Sequence, residues 1–278
     1  MLDRSMRALA ILGIAALTAV TCGGSATPSP SPATAAPATT APVTAASPSV
    51  SPAAKPADAV ASVSTTLAQG KLTAIPEGTL FVNFLDVPQP AGNTITHAHV
   101  AGFVYSVKGI HRLTIGTDPA KDIKPGEAGF VGADVGHSHT NPETTVSQWY
   151  FASNRPASAR GGAPLFPDQK TLYATADLPP TLAQGAYAEQ LNVVTLGVGG
   201  RTAAHKHGGL EVVVVLEGTL ELRSATAAPQ TLAAGQGAFV LPNTTLQAVN
   251  KGTGTAKFLA FFVTKDGEAF STSVDTAP

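Results

Sequence analysis

Six of the seven histidines stand in three His-x-His pairs: His97 with His99, His137 with His139, and His205 with His207. In an extended strand, residues i and i+2 face the same side, so each pair can present two imidazoles together. Glu211 shares the parity of His205 and His207 and joins their face where no bulge intervenes. Imidazoles with or without a carboxylate on one face form a donor set for a borderline divalent metal with open positions, and iron, manganese, zinc, nickel or copper would accept it. His111 follows Gly109-Ile110 at a turn and is read as non-ligating.

The elements that must position these histidines repeat. Thr66-Leu67-Ala68-Gln69-Gly70 recurs as Thr181-Leu182-Ala183-Gln184-Gly185. His97-Ala98-His99 recurs as His205-Lys206-His207, and Gly126, Phe130, Val131 and Asn141 recur as Gly235, Phe239, Val240 and Asn250. Two homologous halves of about 100 residues follow, an ordinary domain size. Runs such as Thr79–Val87, Gly102–Val107, Thr144–Ala152, Leu191–Val198, Glu211–Leu216 and Phe258–Thr264 are rich in Val, Phe, Tyr and Leu and punctuated by Gly and Pro. No long window carries a 3.6-residue apolar period. The pattern predicts an all-β chain of barrels or sandwiches. The expected boundaries are a first domain over 59–155, a polar connector with one helical turn over 156–180, a second domain over 181–268 and a tail over 269–278. Trp149, Tyr150 and Phe151 are expected to pack in the core.

Gly92, His97 and His99, and later Arg201, His205, His207, Glu211 and Gly218, resemble the first motif of the cupin superfamily. Gly126, His137 and Asn141 resemble its second motif, in which a single His completes the metal site. The resemblance covers both halves and implies a bicupin: two tandem jelly-roll (double-stranded β-helix) barrels. It implies His97, His99 and His137 as metal ligands in the first half, where the carboxylate position falls on Gly102 or Phe103. It implies His205, His207 and Glu211 as ligands in the second half, where Leu246 replaces the remaining histidine. One divalent metal is therefore expected in the first half. The second half either holds another or has lost it. His139, which shares the strand parity of His137, is a candidate catalytic proton-transfer group, an alternative ligand or a solvated rim histidine.

The N-terminus reads as an address. Arg4 and Arg7 precede the apolar run Ala8–Val20, which is short of the roughly 20 residues a membrane span needs and fits a signal peptide. Leu17–Gly24, around the only cysteine, resembles a bacterial lipoprotein signal and implies lipidation of Cys22. Residues 1–21 are read as the signal peptide. Residues 22–58, dominated by Ala, Pro, Ser and Thr, are read as a disordered tether to a membrane surface. The expected location is extracytoplasmic: anchored by the lipid alone at the outer face of the bacterial cell membrane or, with an ordinary secretory signal, secreted. With 17 basic and 18 acidic residues, the chain lacks the cationic footprint of a nucleic-acid binder. The expected partner is a small-molecule ligand or substrate, with a homodimer as an option. Two functions fit: a non-haem metal dioxygenase-type oxidoreductase, or a non-catalytic binding or sensor module. Oxalate-type bicupin decarboxylation is a third, though neither half keeps that family's three His and one Glu.

Overall fold

The computed structural model describes residues 60–179 and 182–278. The signal peptide, Cys22 and the whole of the tether lie outside them. The chain is all-β. Its first half contains β1 (Val60–Leu72), β2 (Leu80–Gln89), β3 (Thr94–His97), β4 (Gly102–Lys108), β5 (His111–Ile115), β6 (Lys121–Ile123), β7 (Ala128–Val131), β8 (His137–Thr140) and β9 (Ser147–Pro156). After a single 3₁₀ turn at Ala157–Ala159 come β10 (Lys170–Ala174), β11 (Tyr187–Arg201), β12 (His205–Lys206), β13 (Leu210–Glu217), β14 (Thr219–Ser224) and β15 (Ala227–Ala233). The chain then forms β16 (Gly237–Val240), β17 (Leu246–Asn250), β18 (Ala256–Lys265) and β19 (Thr272–Ser273). The connector thus holds the expected helical turn and also a strand that its polar sequence did not announce.

In the first half a five-stranded sheet, β10-β2-β9-β4-β7, faces a four-stranded sheet, β3-β8-β5-β6. Leu85, Val104, Trp149 and Phe151 from one sheet pack on Leu113 and Ile123 from the other. In the second half the order β15-β14-β17-β11-β18-β13-β16 curls into a nearly closed barrel around Leu196, Val213, Leu220, Ala248 and Phe262. Strands cross between the parts of the chain: β1 leaves the first half and the connector strand β10 joins it. β1 pairs antiparallel with β11 along its whole length, and β10 pairs with β2. A third apolar cluster joins the halves: Val82, Phe84 and Phe103 meet Leu191, Val212 and Phe261. Phe84 and Phe103 both set their rings edge-on to Phe261, with centroids 6.3 and 5.9 Å apart. At the β1–β7 approach, a Cβ on Gly70 would lie 2.3 Å from the Phe130 ring, so a larger residue there would have to displace that ring.

The repeated asparagines are turn clamps. Asn141 Nδ2 donates to the carbonyls of Gln89, Pro90 and Thr145, and its Oδ1 accepts from the Glu143 N–H at 3.0 Å. Asn250 does the same with the carbonyls of Leu196, Gly197 and Gly254 and the N–H of Gly252. Removing a buried amide that serves four partners strands them without water. Asn250→Ala should therefore cost about 3 kcal/mol of stability in chemical denaturation.

Candidate metal centres

The strand register brings the two halves into correspondence. His97 pairs with His137 across β3 and β8, and His205 pairs with Leu246 across β12 and β17. Gly102 pairs with Val131, and Glu211 pairs with Val240. The counterpart of Glu211 is therefore Gly102. A Cβ there would lie 2.5 Å from the Ala152 carbonyl oxygen and 2.6 Å from the Phe151 ring, so the first half has no room for a carboxylate.

The histidines that follow β3 and β12 sit on loops held by matching turns. The His99 carbonyl accepts the Asp134 N–H, and the His207 carbonyl accepts the Asn243 N–H. Asp134 and Asn243 have φ of +56° and +60°, a conformation Asp and Asn tolerate better than most residues. This assigns Asp134 a place in a turn. Glu217 ends β13, exposed.

In the first half, His97, His99, His137 and His139 bring one ligand atom each within 4.8 Å of one another. His99 Nδ1–H donates to the Val100 carbonyl at 2.6 Å and His137 Nδ1–H to the Val135 carbonyl at 2.7 Å. Each ring therefore keeps its Nε2 lone pair for the site. Those two Nε2 atoms lie 3.0 Å apart. Nε2 of His97 and Nε2 of His139 are buried with no hydrogen-bond partner. Two inward lone pairs fixed by those carbonyls, beside two buried imidazole nitrogens without a partner, fit a metal cation. Burial makes protons poor substitutes: it lowers all four imidazoles, His99 to about 4 and His139 further still, where neighbouring histidines add to the effect.

His111 is not in this ligand group, as its position at a turn suggested, yet it matters to it. It is fully buried, and its Nε2 lies 3.0 Å from His139 Nδ1. Trp149 stacks on His139 at 4.8 Å and 11°. Trp149 Nε1–H donates to Gln89 Oε1, and Gln89 Nε2 donates to the His139 carbonyl. Phe166, from the connector, is buried against His97, His99, His139, Trp149 and Phe151 with ring centroids 4.7–5.6 Å away. His111, Gln89 and Phe166 were not picked out from sequence. The one available signal was Phe166 itself, a large apolar residue between Pro164 and Pro167 in a polar connector.

In the second half, His205, His207 and Glu211 form a second group that could hold a metal. His205 Nδ1–H donates to the Ala203 carbonyl and His207 Nδ1–H to the Phe270 carbonyl, which turns each Nε2 inward. His207 Nε2 and Glu211 Oε2 face each other at 3.3 Å, both almost fully buried. Burial disfavours both charges, but their attraction prevails, raising His207 and holding Glu211 below the usual carboxylate range. This group opens onto a cavity of about 400 Å³. Its walls include Val194, Val213, Leu222, Phe258 and Phe262, with Ser62 and Ser64 of the exchanged β1, Gln190 and Asn192 on one side. The cavity exists because Ala248 and Ala260 occupy the register positions where the first half carries His139 and Phe151. The first-half histidines, where a metal is expected from sequence, are packed against an aromatic ring, and the open space lies in the second half. Ala248→Leu should weaken binding of any cavity ligand roughly tenfold or more while leaving bound metal unchanged, by calorimetry and metal analysis.

Residues 192–262 match the family described as Cupin domain. No curated protein matches the chain. Among solved structures, the chain is similar to Lactobacillus farciminis oxalate decarboxylase in its formate complex, at 14% identity. That alignment covers 69% of this chain and 80% of the other, with a TM-score of 0.50. It is also similar to Bacillus subtilis oxalate decarboxylase at pH 4.6, at 14% identity over 73% and 78% of the two chains, with a TM-score of 0.51. At such identity the likeness establishes the fold alone. The fold is that of a cupin, with two groups of residues able to hold metal.

Proposed function

We propose that this chain is an exported, lipid-anchored bicupin whose second barrel is the reaction centre. There, His205, His207 and Glu211 would hold a metal that oxidises a small, largely apolar organic molecule with dioxygen. The observation that carries this reading is the junction of a two-His-one-carboxylate set with the apolar cavity. Such a set leaves coordination positions open, the arrangement that non-haem iron oxygenases use. When bound, a redox metal supplies the binding and activation of oxygen and of a chelating substrate.

The protein's own residues would set selectivity. Glu211 lowers the net charge of a divalent site to +1, which suits a monoanionic chelating group such as an enolate or phenolate. Leu222, Phe258 and Phe262 would enclose the apolar body and exclude water, while Gln190 and Asn192 can hydrogen-bond a polar edge. Among the described residues lining the cavity there is no Lys or Arg, so a small dianion such as oxalate lacks a partner beyond the metal. That weighs against decarboxylation of the kind named for the structural neighbours.

The test is oxygen consumption by metal-loaded protein offered catechol-like, diketone-like and flavonol-like compounds. Consumption with one of these classes supports the reading. Saturable binding without consumption replaces it with a non-catalytic binding module. Absence of metal from the second half overturns it. The anchor is checked separately: Cys22→Ser should release the protein from membranes, and retention would rule out lipidation there.

A further inference from the structure

We propose that the first half binds its own metal ion through four imidazole nitrogens, Nε2 of His97, His99, His137 and His139. In this closed site no coordination position remains for a substrate. The resemblance to cupins implies only the first three of these ligands. The fourth follows from the geometry.

His139 brings a ring nitrogen within 4.8 Å of the other three donors, and its Nε2 is buried with no hydrogen-bond partner. Its opposite nitrogen faces His111 Nε2 at 3.0 Å, the arrangement that fixes a ligating ring from behind. Trp149 stacked on its face and Gln89 bound to its carbonyl hold it further. A cation is needed here for a specific reason. Nδ1 of His99 and Nδ1 of His137 each face a backbone carbonyl, which can only accept, so both must carry the proton. Neither Nε2 can then donate to the other, yet they stand 3.0 Å apart. Two lone pairs that close require a positive centre between them.

Four protein ligands complete the coordination shell of a structural metal site, whereas catalytic sites keep one place open. Phe166 then covers the histidines from the connector. Its N–H donates to Gln169 Oε1, which pins the turn that carries it. The ion would tie three segments together: the end of β3, strand β8 and, through Phe166, the connector. It would stabilise the first half and leave chemistry to the second. Imidazole donors suit zinc, copper, iron and nickel.

The experiment uses the full chain carrying His205→Ala and His207→Ala, so that only the first-half site can load. Loaded with Co(II), it should bind one ion per chain and show the intense visible bands of four-coordinate cobalt, with no enhancement of solvent-water relaxation from an exchanging ligand. Phe166→Ala removes packing against the histidines but no ligating atom. In that background it should keep the stoichiometry but release metal to a chelator at least tenfold faster. His139→Ala should weaken binding at least tenfold and give a five- or six-coordinate spectrum. Should His139→Ala fail to fold, the spectrum, the water relaxation and the Phe166→Ala release rate still decide. No bound metal, a weak five- or six-coordinate spectrum, an exchanging water with Phe166 in place, or a release rate indifferent to Phe166→Ala would overturn the proposal. The second-half reading is checked in the reciprocal variant, His97→Ala with His99→Ala, so either proposal can fail alone.

Discussion

Glu211→Ala is expected to abolish the chemistry of this protein while leaving its fold and its first-half metal in place. Glu211 is the only carboxylate in the second-half ligand group and is almost fully buried. Its attraction to His207 outweighs the cost of burying it, so the carboxylate is charged at neutral pH. Without it, two imidazoles remain, and a divalent ion there would keep its full charge in a largely apolar cavity. Second-half metal should fall well below one ion per chain, and oxygen consumption should drop by roughly two to three orders of magnitude, the usual scale for losing a central charge-stabilising group. The reciprocal His97→Ala/His99→Ala chain should retain most of its specific activity once the folded fraction is measured. If activity instead survives Glu211→Ala and disappears with the histidines of the first half, the reaction centre has been placed in the wrong barrel.

The second large effect is on stability. Glu189 on β11 is fully buried, lies between Gly70 of β1 and Val263 of β18, and neither of its oxygens has a hydrogen-bond partner. Burial pushes its carboxyl up to about 8. The folded protein therefore holds this proton across a range where the unfolded chain, near its ordinary value of 4.5, has released it. With the folded value raised, the stability is fully present below about pH 4.5 and is lost as pH rises toward 8. At about 1.4 kcal/mol per pH unit, the loss by pH 7 is on the order of 3 kcal/mol. Glu189→Gln has the same shape without the titration. Wild type and variant should melt together near pH 4 and diverge above it, the variant higher by about 5–10 °C at neutral pH. Parallel melting curves from pH 4 to pH 8 would show that Glu189 is ionised in the fold.

Much of the site was legible before any coordinates. The His-x-His spacing needs only the two-residue period of a strand, and the parity of Glu211 follows from the same geometry. The duplication was legible because matched turns demand matched residues, as the paired roles of Asn141 and Asn250 now explain. The location of the open site was not. Related motifs announce a metal site in both halves, yet Phe166 packs on the histidines of one and a cavity opens at the other. That difference arises from side chains distant in sequence: Phe166, which folds back from the connector, and Ala248 and Ala260, whose small size matters only once β17 and β18 line a barrel. The place of His139 was open for a similar reason. Sequence left His139 as a proton-transfer group, an alternative ligand or a rim histidine; its burial beside the other three rings, with His111 behind it, decides against the rim.

From the order of its residues alone, this protein declares an all-β repeat with histidine-rich metal motifs, because strand period and turn chemistry are local properties. Only the tertiary structure decides which half opens onto a cavity, what packs on the histidines of the other, and that β1 crosses to the second half while the connector strand β10 joins the first. Cavities, lids and strand exchange depend on which side chains meet across the sheets, and that is settled by packing rather than by spacing along the chain.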